Sequence, residues 1–451
     1  MQLRMMQIVT ENFGNSKGGR MDIVVTGTGY VGLVAGVCFA DVGHNVTCID
    51  VNEARISLMQ KGISPIYEKD LQELMQKNAE KGRIRYTTDY ANTYKNAEVI
   101  FIGVGTPENP DGSANLEYVE IVSKQIAENI ENDCLVVVKS TVPVGTNERV
   151  EKIIKDNLKN NVKVEVASNP EFLAQGNAVH DMLHAKRVII GIESKSAEKK
   201  LNEIYKPFNL PIVSMNRRSA EMVKYACNSF LALKISYMNE IANLCKIVGA
   251  DIEEVAKGMS YDDRIGAKFL NAGIGYGGSC FPKDTKALNY LAEQNGYELK
   301  TVKATIEVNE EQRKRLIKKA KKCFKSFEGK KIAVLGLAFK PETDDLREAP
   351  SIDNIKYLVN QGANVYTYDP IASNNFKEKY DDEKIMYAKN PTEALKDADA
   401  CFIFTEWNEI KDIKPEQYKE LMSNPSVFDG RNIYDINEMK ENGIDYHSIG
   451  R

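Results

Sequence analysis

Cys280 stands in the run FLNAGIGYGGSCFPKDT (residues 269–285), where glycines at 273, 275, 277 and 278 let the backbone approach a ligand closely. Lys283 and Asp284 follow within four residues. A cation beside a thiol favours the thiolate, the form that attacks carbon. A buried structural cysteine would need neither the glycines nor the Lys–Asp pair, so Cys280 is expected to be a nucleophile. Lys224 and Asn228 are spaced i, i+4 in a stretch of helical periodicity and therefore share a face. An ammonium and an amide donor side by side suit the oxyanion formed when a thiol adds to a carbonyl. Taken alone, they suit a solvated helix face equally well.

A second constellation lies near the start of the chain. Gly27, Gly29 and Gly32 form G-x-G-x-x-G between an apolar strand-like run and a helical one. The glycines permit a tight turn and close backbone approach, and the helix amino end offers N–H groups to a pyrophosphate. Asp50 closes the next strand, 18 residues past Gly32, where a carboxylate can bind ribose hydroxyls. It would repel a 2′-phosphate, so NAD is expected rather than NADP.

These residues need elements to hold them. From Met21 the segment DIVVTGTGYVGLVAGVCFADVGHNVTCID reads strand, glycine turn, helix, strand, and further β-rich runs follow at Glu98–Val104, Cys134–Lys139, Lys163–Ser168 and Arg187–Ile192. Alternation of this kind predicts a parallel sheet covered on both faces. From Ser219 to Val248 there is no Gly or Pro, and apolar residues recur at three- and four-residue steps. A helix there would run roughly 45 Å at 1.5 Å per residue, longer than a small domain needs. It is expected to connect domains and to serve a dimer interface. The helical character continues to about Ala320, interrupted by the loop Gly273–Gly278. A second α/β segment starts at Lys330 with KKIAVLGLAFK, a helix and NVYTYDP, and strands are plausible at Ala400–Phe404 and Ser426–Phe428.

The expected fold class is α/β: two Rossmann-like doubly wound domains joined by a helical middle domain with a long connecting helix. The expected divisions are an extension over 1–20, a cofactor domain over 21–213, a central helical domain over 214–325 and a second Rossmann-like domain over 326–451. Residues 1–20 lack the apolar core of a signal peptide and read as a disordered or non-native extension. A chain of 451 residues is too long for one core. A net charge of −4 gives no electrostatic reason to expect nucleic acid or membrane as partner, and no apolar run is long enough to span a bilayer. The eight cysteines are scattered without a CxxC pair, which predicts reduced thiols and a cytoplasmic location.

Five blocks in order carry a resemblance: GTGYVGL (27–33), STVPVGT (140–146), NPEFL (169–173), GGSCFPKDT (277–285) and GLAFKPETDDLRE (336–348). From Met21 to its end the chain resembles the UDP-glucose 6-dehydrogenase family of the bacterial type, and GGSCFPKD looks like its UDP-glucose branch rather than the UDP-N-acetylmannosamine branch. The resemblance implies a four-electron oxidation of UDP-glucose to UDP-glucuronate with two NAD used in succession. An aldehyde at C6 would be captured by Cys280 as a thiohemiacetal, oxidised to a thioester and released by water, as in polysaccharide precursor synthesis. No metal is implied, and none of His44, His180, His184 and His447 is expected in a ligand cluster.

The same resemblance implies residue roles. Lys224 and Asn228 would stabilise the oxyanion, Asp284 and Thr141 would position a water for proton transfer, and Glu171 would be the base for thioester hydrolysis. Glu171, Phe172 and Leu173 of NPEFL, the backbone of Phe269, Leu270 and Gly273, and Gly277 would line the sugar nucleotide, with Phe339 and Lys340 as UDP contacts. Arg264 would reach the substrate of a neighbouring subunit in a homodimer. Val31, Asp50, Arg55, Thr106, Thr141, Lys283 and Arg347 align with cofactor-side positions, Arg55 where a lysine is common. The chain departs from the family at NPEFLAQG: Gln175 stands where a glutamate is usual, so it keeps hydrogen bonding but cannot act as a base. The site is expected in a cleft that closes to exclude water. Two alternatives remain: the same chemistry on GDP-mannose or a UDP-N-acetylhexosamine, or a non-catalytic regulator that binds NAD and a nucleotide sugar.

Overall fold

Each of the two glycine-led strand–turn–helix segments opens a sheet in the computed structural model, which describes residues 20–451. The expected extension therefore lies, except for Arg20, outside the described residues. The chain divides into two compact units: residues up to Thr106 with Leu116–Lys224, and Pro107–Asn115 with Tyr225–Arg451.

The strands of the first unit are β1 (Asp22–Thr26), β2 (Asn45–Ile49), β3 (Ile84–Thr87), β4 (Val99–Ile102), β5 (Cys134–Val138), β6 (Val164–Ser168), β7 (Val188–Gly191) and β8 (Ile212–Met215). They form one sheet in the order β3-β2-β1-β4-β5-β6-β7-β8. The strand order reverses between β1 and β4, the switch point where open α/β sheets bind ligands at the carboxyl ends of their strands. Helices cover both faces, so the central strands are apolar on both sides. Ile23 and Val25 join one buried cluster, while Val24 between them joins the other. One expectation needs correcting: the sheet is not wholly parallel. β7 meets β6 antiparallel through Ser168 and Gly191, because the NPEFL loop and the short helix Ala178–Leu183 return the chain without a full crossover.

The second unit contains β9 (Lys331–Leu335), β10 (Asn364–Tyr368), β11 (Ile385–Tyr387), β12 (Ala400–Ile403), β13 (Ser426–Asp429) and β14 (Asp445–His447). The sheet order is β11-β10-β9-β12-β13-β14 with every pairing parallel. It repeats the order of the first six strands of the other sheet. Its residues also alternate between two cores, Ile332 and Val334 in one, Ala333 and Leu335 in the other.

The long helix runs Arg217–Val248, 32 residues, two residues earlier than its periodicity predicts. Its residues through Lys224 belong to the first unit and those from Tyr225 to the second. Helices Ile252–Ser260, Phe281–Gln294, Lys300–Gln312 and Arg315–Cys323 follow. The break in this helical stretch is wider than the glycines indicate, covering 261–280. Among the described residues, no helix is long and apolar enough to cross a membrane.

Candidate active site

In the first unit, β1 ends at Thr26 and the turn Gly27–Gly29 leads into helix Tyr30–Asp41, capped by Gly29. Gly27 has φ 95°, and a Cβ there would lie 2.8 Å from the Gly103 carbonyl after β4. A Cβ on Gly32 would collide with the Gly27 carbonyl. Both positions therefore exclude side chains for packing reasons. At Gly29 the situation differs: no heavy atom among the described residues lies within 4 Å of a Cβ built there. Packing does not demand this glycine, and the open space beside a helix amino end fits a pyrophosphate.

Asp50 follows β2 and bonds to that turn. Its Oδ2 accepts from the Thr28 amide at 2.8 Å and the Thr28 hydroxyl at 2.6 Å, and its Oδ1 accepts from the Asn52 amide. Burial would push this carboxyl up, but the Thr28 and Asn52 hydrogen bonds and the Arg55 charge hold it below the ordinary range. Arg55 also donates to the Thr28 carbonyl at 3.2 Å. The carboxylate is thus ionised and fixed at the sheet's switch point, which fits ribose hydroxyls. Val31 lies half-buried in the first turn of the helix. The Thr106 hydroxyl donates to the Thr141 carbonyl at 2.7 Å, which ties the loop after β4 to the loop after β5.

The NPEFL loop follows β6. Glu171 and Lys224 are both buried, with side chains 5% and 4% exposed, and form an ion pair of 2.7 Å. The other Glu171 oxygen accepts from the Leu173 amide at 2.6 Å. Burial raises the Glu171 pKa, but the charge and hydrogen bond of Lys224, the Leu173 amide and the charge of Lys139 together lower it below the usual carboxylate range. Phe172 faces both cations, with the Arg187 guanidinium 4.1 Å and the Lys224 ammonium 5.5 Å from its ring centre. The end of the loop is held by Glu68, which accepts from the Gly176 and Ala178 amides and from the Tyr30 hydroxyl. Gln175 is thereby kept near the first turn of the glycine-led helix. Its Oε1 is buried without a hydrogen-bond partner among the described residues.

Lys139 was not singled out by its sequence, yet it is fully part of this cluster. It directly follows the apolar strand β5, is buried, and donates to Asn169 Oδ1 at 3.0 Å. The Tyr205 hydroxyl donates to the same oxygen at 2.5 Å. Burial brings the Lys139 pKa down to about 8 despite the nearby Glu171. The available signal was a lysine closing CLVVV, a strand otherwise buried throughout.

In the second unit, Cys280 is the amino-terminal cap of helix Phe281–Gln294 and is half-buried. A helix amino end favours an anion. One turn along, buried Asp284 accepts from Asn228 at 2.6 Å and from Lys283 at 2.7 Å. Arg347 is close enough to Cys280 to interact with it electrostatically, and the Arg347 carbonyl accepts from the Gly278 amide at 2.8 Å.

The glycine loop is stitched from below. The Gly273 amide donates to Asn239, its carbonyl accepts from Gln312, and Asn309 bonds both ways with Tyr276. A Cβ on Gly277 would overlap the Glu348 carbonyl, and one on Gly278 would lie 2.8 Å from the Phe339 ring. Phe339 is therefore seated against the cysteine loop, and the Lys340 ammonium lies 5.7 Å from the centre of the Phe339 ring. Phe269 adopts φ 64°, a costly conformation for a bulky residue. Leu270 beside it is buried. Arg264 is exposed, its side chain 90% accessible, and forks onto Asp262.

Within the first unit the folding thus gathers Gly27, Gly29, Val31, Gly32, Asp50 and Arg55 at one turn, and Glu171, Phe172 and Lys224 at another cluster. Within the second it gathers Cys280, Asn228, Lys283, Asp284, Gly277, Phe339 and Arg347. Arg264 stands apart from the second group. The expectation for the histidines fails at one residue: His447 lies beside Cys323 and Asp445, with one donor atom of each within 4.8 Å of the others. Residues 124 apart in sequence meet there, so no local spacing announced it.

A dinucleotide turn with its carboxylate, on a doubly wound sheet, defines the class of NAD-dependent dehydrogenases, here with a helix-capping cysteine in the helical stretch that precedes the second sheet. The chain belongs to the UDP-glucose/GDP-mannose dehydrogenase family: the family's NAD binding domain matches residues 21–209, its central domain 218–311 and its UDP binding domain 333–436. It is 48% identical over 431 residues to UDP-glucose 6-dehydrogenase YwqF of Bacillus subtilis, covering 96% of this chain and 98% of that protein. It is 44% identical to the UDP-glucose 6-dehydrogenase of Rhizobium meliloti, covering 96% and 100%. Among solved structures, a UDP-glucose dehydrogenase from Pyrobaculum islandicum superposes with TM-score 0.90 at 36% identity, covering 96% and 98%. A UDP-D-ManNAc dehydrogenase from Pyrococcus horikoshii gives 0.85 at 28%, covering 96% and 99%.

Proposed function

We propose that this chain oxidises UDP-glucose at C6 to UDP-glucuronate in two successive NAD-dependent steps, through a thiohemiacetal and a thioester on Cys280. The observation that carries the reading is Cys280 at a helix amino end with Asp284, one turn along, held by Asn228 and Lys283. The relatives that match nearly the whole chain supply the substrate.

NAD, when bound, accepts a hydride from C6 in each oxidation. Gly27, Gly29, Val31 and Gly32 would hold its pyrophosphate, Asp50 with Arg55 its ribose, and Thr106, Thr141, Gln175, Lys283 and Arg347 would line the rest of its site. Asp284 and Thr141 order the water that takes the proton from the C6 hydroxyl as the first hydride leaves. The Cys280 thiolate then adds to the aldehyde carbon, and the Lys224 ammonium and Asn228 amide stabilise the oxyanion. Loss of the second hydride leaves the thioester. Glu171, kept ionised by Lys224, takes a proton from water as that water attacks, and the carboxylate departs with the thiolate restored. Glu171, Phe172, Leu173, Phe269, Leu270, Gly273, Gly277, Phe339 and Lys340 cradle the sugar nucleotide.

The same reading divides the chain into a cofactor domain over 21–213, a central domain over 214–325 and a UDP-sugar domain over 326–451. It places the enzyme in the cytoplasm as a homodimer, with Arg264 completing the partner's substrate site. Support for the dimer comes from the long helix, where Phe230, Tyr237 and Leu244, seven residues apart, are exposed apolar side chains.

The test is NADH stoichiometry with UDP-glucose, run beside Cys280→Ser. Two NADH per sugar, with product formation stalled in the variant, are expected. One NADH per sugar from the unaltered chain would sink the two-step route. Turnover of GDP-mannose or a UDP-N-acetylhexosamine, with UDP-glucose inert, would keep the chemistry and replace the substrate.

A further inference from the structure

Away from these residues, three side chains of different chemistry converge at one edge of the second sheet. Cys323 ends helix Arg315–Cys323, while Asp445 and His447 are alternate residues of β14 and so point to one side of the strand. The Cys323 Sγ lies 3.4 Å from His447 Nε2, and the same Nε2 lies 3.0 Å from Asp445 Oδ2. Cys323 is exposed, so the group is open to ions from solution.

A nucleophilic relay would put the thiol on one ring nitrogen and the carboxylate on the other, whereas here both meet Nε2. One Nε2 hydrogen can serve Asp445 while the Cys323 thiol donates to the Lys319 carbonyl at 3.8 Å. A single cation in front of all three ligand atoms would engage them together. The sulfur–nitrogen and nitrogen–oxygen separations fit one: bonds of about 2.3 Å to sulfur and about 2.0 Å to nitrogen and oxygen give tetrahedral edges of about 3.5 Å and about 3.3 Å. The ring is further oriented by stacking on Phe428, 4.7 Å between centres at 7°, and Asp445 accepts from Ser426 at 3.1 Å.

We propose that Cys323, Asp445 and His447 form a surface site for a divalent transition metal of zinc type, with solvent as fourth ligand. The thiolate, imidazole and carboxylate set selects such an ion over Mg²⁺ or Ca²⁺, which prefer oxygen throughout. The site lies outside the oxidation chemistry, which needs no metal.

Titration of the full chain with Co²⁺, in a Cys280→Ser background that removes the catalytic thiol, tests the assignment. The expected result is one equivalent bound with a sulfur-to-cobalt charge-transfer band, the band lost on adding Cys323→Ser. His447→Gln should weaken binding by at least about tenfold. No saturable band, a band that survives Cys323→Ser, or an unchanged affinity in His447→Gln would each overturn it.

Discussion

Glu171 and Lys224 meet as a buried ion pair of 2.7 Å, although 53 positions separate them and one is a proposed base while the other is a proposed oxyanion donor. Neither charge is tolerable there without the other. Replacing Lys224 by Ala should destabilise the protein by about 3 kcal/mol, because a buried carboxylate is left with only Lys139 nearby. Replacing both, as Lys224→Met with Glu171→Leu, should recover most of that loss. Urea unfolding of the parent and the two variants measures it; Lys224→Ala as stable as the parent would show the pair to be inconsequential.

The same pair sets a pH dependence. Glu171 is held below its ordinary range, so its contribution to stability is complete above the unfolded value of about 4.5 and lost as pH falls through the lower folded value. Ionisation of Glu171 should accordingly impose no acid limb on thioester hydrolysis above about pH 5. Rapid-quench measurement of acyl-enzyme decay, with Glu171→Gln slowing it by at least about a hundredfold, checks the role. Unaltered decay in that variant would remove Glu171 from hydrolysis.

Lys139 titrates in the opposite sense. Its folded pKa of about 8 is below the ordinary 10.5, so the unfolded chain binds that proton more tightly. Stability should therefore carry a penalty below about pH 8 that is relieved as pH rises to about 10.5, a linkage on the order of 3 kcal/mol. Subtracting the pH profile of Lys139→Met from that of the parent isolates the term from the buried tyrosines and cysteines. Parallel profiles would contradict it.

Gln175 sits on a loop tied to Tyr30 at the start of the glycine-led helix, with its Oε1 unpartnered. Gln175→Glu should shift the NAD dissociation constant by at least about fivefold, roughly 1 kcal/mol, and leave acyl-enzyme decay within about twofold. A change in decay with constant NAD affinity would reverse the assignment.

Tyr237→Glu with Leu244→Glu should convert the proposed dimer to monomer, since two charges then replace apolar side chains in the stripe on the long helix. Light scattering after size exclusion reads the mass. A parent chain that is already monomeric at working concentration would end both the dimer and the role of Arg264 in a partner's site.

Much of this protein was legible residue by residue. The turn at Gly27–Gly32, the helix from near Ser219 to Val248 and the strands around Val99 and Lys331 depend on local backbone freedom and on periods of two or 3.6 residues, which the order of amino acids carries directly. The strands Ile84–Thr87, Ile212–Met215, Ile385–Tyr387 and Asp445–His447 were not read in advance. All four are sheet edges of three or four residues, partly exposed, with no long apolar run to mark them. The antiparallel turn into β7 was hidden for a related reason, since strand direction depends on how the intervening loop folds back.

By itself the sequence determined which residue types were available: one cysteine among glycines, a dinucleotide turn with its carboxylate, and a lysine and an asparagine on one helical face. Only tertiary structure decided their partners. Lys224 took Glu171, Asn228 took Asp284, Lys139 joined Asn169, and His447 met Cys323 and Asp445. Burial makes the first three pairings obligatory, because a polar group removed from water must find a counterpart. Which counterpart it finds is set by how elements remote in sequence pack, and no local pattern encodes that.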